Sequence, residues 1–155
     1  MDKNIEMVPY TDNLSHHFTT LNRSWVQKYF ELEPIDELML ANPKQYFIHK
    51  GGLIFFALLD NEVVGTFALL KVSDKTYELS KMAVYEQFQG RRIGNKMLEF
   101  CLAQAKILQL QKLILYSNTL LSNAIHLYKK YGFIEVVGFE SDYKRANIKM
   151  EIVIN

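Results

Sequence analysis

Met82-Ala83-Val84-Tyr85-Glu86-Gln87-Phe88-Gln89-Gly90-Arg91-Arg92-Ile93-Gly94 is the stretch on which the fold turns. It reads as the end of a strand, a glycine-containing loop, and the start of a long helix over about Arg91 to Leu108. Gly94, Leu98, Cys101, Ala105 and Leu108 recur on one face of that helix. The first amides of a helix lack intrahelical acceptors and carry the positive end of its dipole, so such a loop suits a phosphate or pyrophosphate. Gly90 and Gly94 remove side chains where a ligand must approach the backbone, and Arg91 and Arg92 add positive charge. A Walker loop fits poorly, because Gly94 is followed by Asn95-Lys96-Met97. A dinucleotide fingerprint fits poorly too, because these glycines are four apart and follow an antiparallel run.

Upstream, Thr76 to Val84 is a strand, preceded by a hairpin of Gly52–Leu59 and Glu62–Leu70 about a tight Asp60-Asn61 turn. Ile5 to Tyr10 is a short first strand. Leu14, Phe18, Leu21, Trp25 and Tyr29 then form one helical stripe, and Ile35 to Ala41 predicts a second short helix before Pro43. Downstream, Lys112–Tyr116 is a strand and Ser122–Tyr131 a helix that Gly132 ends with a left-handed cap. Phe133–Val137 and Ala146–Ile154 are the last strands. The order defines a mixed α/β chain with an antiparallel front half.

The 155 residues fit one domain, 1–155, and a net charge of +1 argues against a general nucleic-acid binder. Cys101 is the only cysteine, so no internal disulfide forms, and its place on the apolar stripe reads as a packed core thiol. Met1 to Glu6 holds no apolar leader, and the longest apolar runs are too short to span a bilayer, so a cytoplasmic protein without a membrane partner is expected. His16, His17, His49 and His126 show no metal-ligand spacing.

Gln89-Gly90-Arg91-Arg92-Ile93-Gly94 resembles the Gln/Arg-x-x-Gly-x-Gly/Ala pyrophosphate loop of the GNAT N-acetyltransferase superfamily. Asn123-Ala124, Leu127-Tyr128 and Gly132-Phe133 are similar to that family's second signature, Asn-x-x-Ala, Leu-Tyr, Gly-Phe. The two halves together cover residues 76 to 137 in the family's order and spacing. The sequence departs from the pattern at Arg92, which takes the central glycine position, and at Glu86, where the family often has proline. The resemblance implies a central twisted mixed β-sheet flanked by helices. It also implies two splayed central strands, one ending at Val84 and the other at Ser117.

By the same resemblance, acetyl-CoA is the cosubstrate and the acceptor is a primary amine, a small molecule before a protein lysine or N-terminus. No metal is required. The backbone of Gln89, Gly90, Arg91, Arg92, Ile93, Gly94 and Asn95 is expected at the pyrophosphate, and Met82 and Val84 along the pantetheine arm. An amide near Met82 or Ala83 is expected to stabilise the oxyanion. Asn123, otherwise a helix cap, and Asn118 are expected to contact the cofactor. Tyr128 corresponds to the tyrosine that protonates the departing thiolate, and Glu78 to a general-base position that some members use. Glu31, Glu33, Asp36 and Glu37 read as a solvated loop face that would also suit a cationic acceptor. The tail Tyr143–Glu151 resembles the ending of small bacterial members. A rival from another class is a non-catalytic acyl-CoA sensor on the same fold, and Trp25 and Tyr29 are candidates for a homodimer surface.

Overall fold

The computed structural model describes residues 4–155; Met1 to Lys3, which belong to the start read above for a leader, lie outside them. One seven-stranded sheet is built from β1 (Ile5–Pro9), β2 (Leu53–Leu59), β3 (Glu62–Lys71), β4 (Thr76–Val84), β5 (Lys112–Ser117), β6 (Ile134–Val136) and β7 (Ile148–Val153). The strand order is β1-β2-β3-β4-β5-β7-β6. Neighbours are antiparallel except β4 and β5, which run parallel. This is the expected mixed sheet.

The chain reverses between β2 and β3 at Asp60 and Asn61, whose φ values of 51° and 65° suit residues that tolerate the left-handed region. Strand β2, Leu-Ile-Phe-Phe-Ala-Leu-Leu, is apolar throughout because both of its faces are covered. Ile54 and Phe56 enter one core, and the alternate residues Phe55 and Ala57 enter the other. The first of these cores is closed by α1 (Ser15–Tyr29), α2 (Pro34–Ala41) and the short α3 (Pro43–Tyr46), through Phe18, Leu21 and Leu40. The second is closed by α4 (Ile93–Ile107) and α5 (Ser122–Lys130), through Met97, Leu98, Cys101 and Ile125. Gly132, at φ 103°, ends α5: its N–H donates to Lys129 and that of Phe133 to Tyr128. No helix of the described residues is long and apolar enough to cross a membrane.

Three local expectations shift. Helix α4 starts at Ile93 rather than Arg91, because Arg92 adopts φ 62° and stands outside the helix as its N-cap. Its buried stripe runs through Ile93 and Met97, whereas Leu108 falls past the last turn and is 37% exposed. The last strand is shorter than expected, with residues 137–147 irregular.

Two of the acidic residues after α1, Glu33 and Asp36, do not belong to a solvated face. Asp36 is fully buried. Its carboxylate accepts two bonds from Arg145, at 2.6 and 2.8 Å, one from Lys81 at 3.0 Å and one from the Glu33 N–H at 2.8 Å. Glu33 accepts from the Lys144 N–H at 2.8 Å and from the Arg145 guanidinium at 3.1 Å, and Glu37 pairs with Arg23 at 2.6 Å. The physical reason is the capping box at the start of α2, with Pro34 in its first turn, which turns Asp36 inward toward two cations from distant segments. Of the four, Glu31 and Glu37 stay exposed. Replacing Asp36 by alanine strands the buried ammonium of Lys81 and leaves part-buried Arg145 with Glu33 alone, so the unfolding free energy measured in urea is expected to fall by about 3–5 kcal/mol.

Candidate active site

The parallel pair β4–β5 holds only at Thr76–Lys112, Tyr77–Leu113 and Glu78–Ile114. Beyond that point β5 stays with β7 as far as Ser117–Ile148, and β4 stays with β3 as far as Val84–Gly65. The splay expected between the central strands is therefore present. A bulge accompanies it: Thr66 pairs with Ala83 and Ala68 with Ser80, so Lys81 and Met82 together oppose the single residue Phe67. Lys81 is the bulged residue, with φ 57°.

A cavity of about 650 Å³ fills the gap. One group of its walls comes from the loop after β4, the start of α4, and α5, including Gly90, Asn95, Asn123 and Tyr128. Another comes from the end of α1 and the loop before β7, through Trp25, Phe30, Tyr143 and Arg145. Glu78, Lys81 and Met82 of β4 lie along it. Sequence reading gave none of the second group a site role: it set Trp25 at a candidate homodimer surface and Tyr143 and Arg145 in the family-like tail. The residues of this group carry no shared motif, and the only hint was the charge of the segment around Asp36.

Each anticipated residue has a definite place. The Tyr85 N–H donates to the Val64 carbonyl at 2.9 Å. Antiparallel alternation then turns the backbone of Ala83 toward Thr66 and that of Val84 toward the gap. The side chain of Gln89 donates to the Val84 carbonyl at 3.2 Å. The amides of Gly90, Arg91 and Arg92 donate to no backbone carbonyl among the described residues, and the first amides of α4 lack intrahelical acceptors. A Cβ at Gly90 (φ 82°) would meet nothing within 4 Å, so the loop is open at that point. Arg91 lies against the ring of Phe88. Glu86, the other departure, pairs with Lys28 at 2.9 Å.

Asn123 is exposed in the first turn of α5 and makes no side-chain cap, Leu121 holding the cap position. Asn118 is used internally: it donates to the Arg145 carbonyl at 2.6 Å and accepts from the Leu120 N–H at 2.8 Å. Tyr128 packs edge-on against Phe133, and its hydroxyl has no hydrogen-bond partner among the described residues. Burial, with Cys101 nearby, pushes that phenol up to about 12, so it is held protonated. Glu78, the last β4 residue paired with β5, is 8% exposed and makes no ion pair among the described residues. Burial pushes its carboxyl up to about 7, with Asp142 adding to the effect and Lys81 opposing it. Cys101 is the packed core thiol expected, fully buried and pushed up to about 12. No group of three or more His, Cys, Asp or Glu with metal-site geometry occurs among the described residues.

The sequence model of the acetyltransferase (GNAT) domain matches residues 50–135, more than half of the chain. A relative, the uncharacterized N-acetyltransferase YvbK of Bacillus subtilis (strain 168), is 27% identical over 104 residues, 65% of this chain and 67% of that protein. A GNAT-family acetyltransferase of Staphylococcus aureus Mu50 superposes with a TM-score of 0.86 at 19% identity, covering 98% of this chain and 100% of that one. Spermidine N-acetyltransferase of Vibrio cholerae, in complex with CoA and spermine, superposes at 0.74 and 21% identity, covering 97% and 95%. A GNAT-family acetyltransferase of Elizabethkingia anophelis with acetyl-CoA bound does so at 0.66 and 23%, covering 98% and 99%. The chain belongs to the GNAT acetyltransferase family, and is thereby an acetyl-CoA-dependent acyltransferase.

Arg92 is an exposed non-glycine residue held in the left-handed region. Substituting Arg92→Gly is expected to stabilise the fold by about 0.5–1 kcal/mol in urea unfolding, by removing that strain. A loss of stability would instead show that contacts of the arginine side chain outweigh the strain.

Proposed function

We propose that this enzyme transfers the acetyl group of acetyl-CoA directly to the primary amine of a small molecule. The observation that carries this reading is the free edge of β4 beyond Glu78, which faces a cavity shared with the unbonded hydroxyl of Tyr128. An extended pantetheine arm would add to that edge as a short strand at Met82 and Val84. The amides from Gln89 to Asn95 at the start of α4 suit the pyrophosphate, and the open space at Gly90 admits it. Asn123 lines the same cavity; Asn118 also lines it but is bonded to the loop before β7.

Glu78 accepts a proton from the incoming ammonium or amine, directly or through water. Of the two amides expected at the oxyanion, Met82 lies in the bulge beside the gap, whereas Ala83 is turned to β3, so Met82 is the better donor. Tyr128 then protonates the thiolate, a role suited to a phenol held neutral. Cys101 takes no part: its thiol is buried and pushed up to about 12, so transfer proceeds without an acyl-enzyme. The reaction as written requires no metal. A cytoplasmic setting matches both the acyl donor and the reduced thiol.

The test is acetyl-CoA-dependent release of free CoA across a panel of amines. Tyr128→Phe is expected to lower kcat by about 10²-fold with little change in the KM for acetyl-CoA. An unchanged kcat would remove that tyrosine from the mechanism. Because Glu78 acts only when ionised and titrates at about 7, kcat/KM is expected to rise with pH through neutrality, and Glu78→Gln to abolish that limb. Tight acetyl-CoA binding by calorimetry with no release from any amine would favour the sensor reading instead.

A further inference from the structure

The acceptor side of the cavity is aromatic and offers one uncommitted charge. Trp25, Phe30, Tyr116 and Tyr143 line it beside Glu78. Their polar atoms largely turn elsewhere: Trp25 Nε1 donates to Asn22 at 3.1 Å, and the Tyr143 hydroxyl to the sulfur of Met39 at 3.3 Å. Their rings already bear cations: Arg145 lies 6.0 Å from the ring centre of Trp25 and 4.8 Å from that of Tyr143.

The two cations on this side are already matched. Arg145 is bound to Asp36 through both terminal nitrogens and to Glu33 through one of them. Lys81 pairs with Asp36 and lies 4.6 Å from the ring centre of Tyr143. Neither is available to a substrate carboxylate without breaking a buried ion pair. The carboxylates behind them are equally committed, so a second or third ammonium on the acceptor finds no acidic partner there. Two further charges act on Glu78 from outside the cavity wall: exposed Asp142 raises its carboxyl, and Lys149, 5.8 Å from the centre of the Tyr116 ring, lowers it more weakly.

We propose that the acceptor is a monoamine carried on an aromatic or similarly bulky apolar body, its ammonium directed to Glu78 and its body held among Trp25, Phe30, Tyr116 and Tyr143. Polyamines and free amino acids are excluded by the same inventory: each would bury a charge with no partner in the wall. The proposal deepens the transferase reading and rests on it.

Three probes separate the possibilities with little change of shape: phenethylamine, phenylalanine (the same body with a carboxylate) and spermidine. A lysine peptide is the fourth. With acetyl-CoA saturating, kcat/KM for phenethylamine is expected to exceed that for each of the others by at least roughly tenfold. Trp25 is the only tryptophan in the chain, so its fluorescence in the CoA complex reports occupancy without turnover. A saturable change with phenethylamine, absent with equal concentrations of phenylalanine and spermidine, is expected. In Trp25→Ala the kcat/KM for phenethylamine should fall about tenfold while the KM for acetyl-CoA holds.

Equal or better use of spermidine, phenylalanine or the peptide overturns the proposal while leaving the transferase reading intact. Selective binding of phenethylamine without CoA release from any amine supports the acceptor assignment and overturns the transferase reading. Phenethylamine that neither binds nor reacts overturns the proposal outright.

Discussion

Parallel pairing between β4 and β5 stops after Glu78 and Ile114, and the site exists because it stops there. Two strands that stayed paired to their ends would leave neither a free edge nor a cavity. The divergence coincides with the bulge at Lys81, a non-glycine residue in the left-handed region that costs of order 1–2 kcal/mol. Such a conformation persists only where the surroundings over-determine it. Here the ammonium of Lys81 is anchored to buried Asp36, so the backbone turn and the side-chain pair fix each other. The same carboxylate holds Arg145 and, through it, the loop before β7. One aspartate thus ties together α2, the bulge and the wall that faces it.

Asp36 and Glu78 show how one low-dielectric region gives two carboxylates opposite properties. Burial disfavours ionisation of both. At Asp36 that effect is outweighed by Arg145 and Lys81, and its carboxyl lies below the ordinary range. At Glu78 no cation comes close enough to compensate, and its carboxyl rises to about 7. The first is therefore a permanent charge that organises structure, and the second is a carboxyl raised to about neutrality, as the base role proposed for it requires. Lys81 stands between them: burial pulls its ammonium down and Asp36 opposes the fall. Removing its charge would alter both carboxylates, which is why the acidic segment and the candidate base belong to one electrostatic system.

The elements to which the family resemblance assigned the cofactor were legible in the sequence because their strand–loop–helix units are set by short-range physics. The loop from Val84 to Gly94 and the segment from Asn118 to Phe133 carry glycines, caps and aromatic residues at fixed offsets, and both fold as those offsets require. The strands of the front half were equally readable, since each is an apolar run bounded by turn residues. The start of α4 was placed too early because Arg92 looks like a helix former, and only the surrounding loop imposes its positive φ. The acidic cluster was misread for a different reason. Charge density in a short loop ordinarily signals solvent, and nothing local announces a cation 109 residues away.

That distance also explains why the two sides of the cavity carry different kinds of information. A pyrophosphate loop works through backbone amides, so its residue pattern is constrained by geometry within a few positions. The facing wall works through side chains from α1, β4, β5 and the loop before β7, and no spacing rule connects them. Their joint property is a charge balance: Asp36 and Glu33 against Lys81 and Arg145, leaving Glu78 over. A single charge change in that set would upset the balance and leave a buried ion that either a substrate group or a further substitution must neutralise. Acceptor choice can therefore change while the loop, the splay and Tyr128 stay as they are, because the acyl-donor chemistry does not depend on which sign the opposite wall presents.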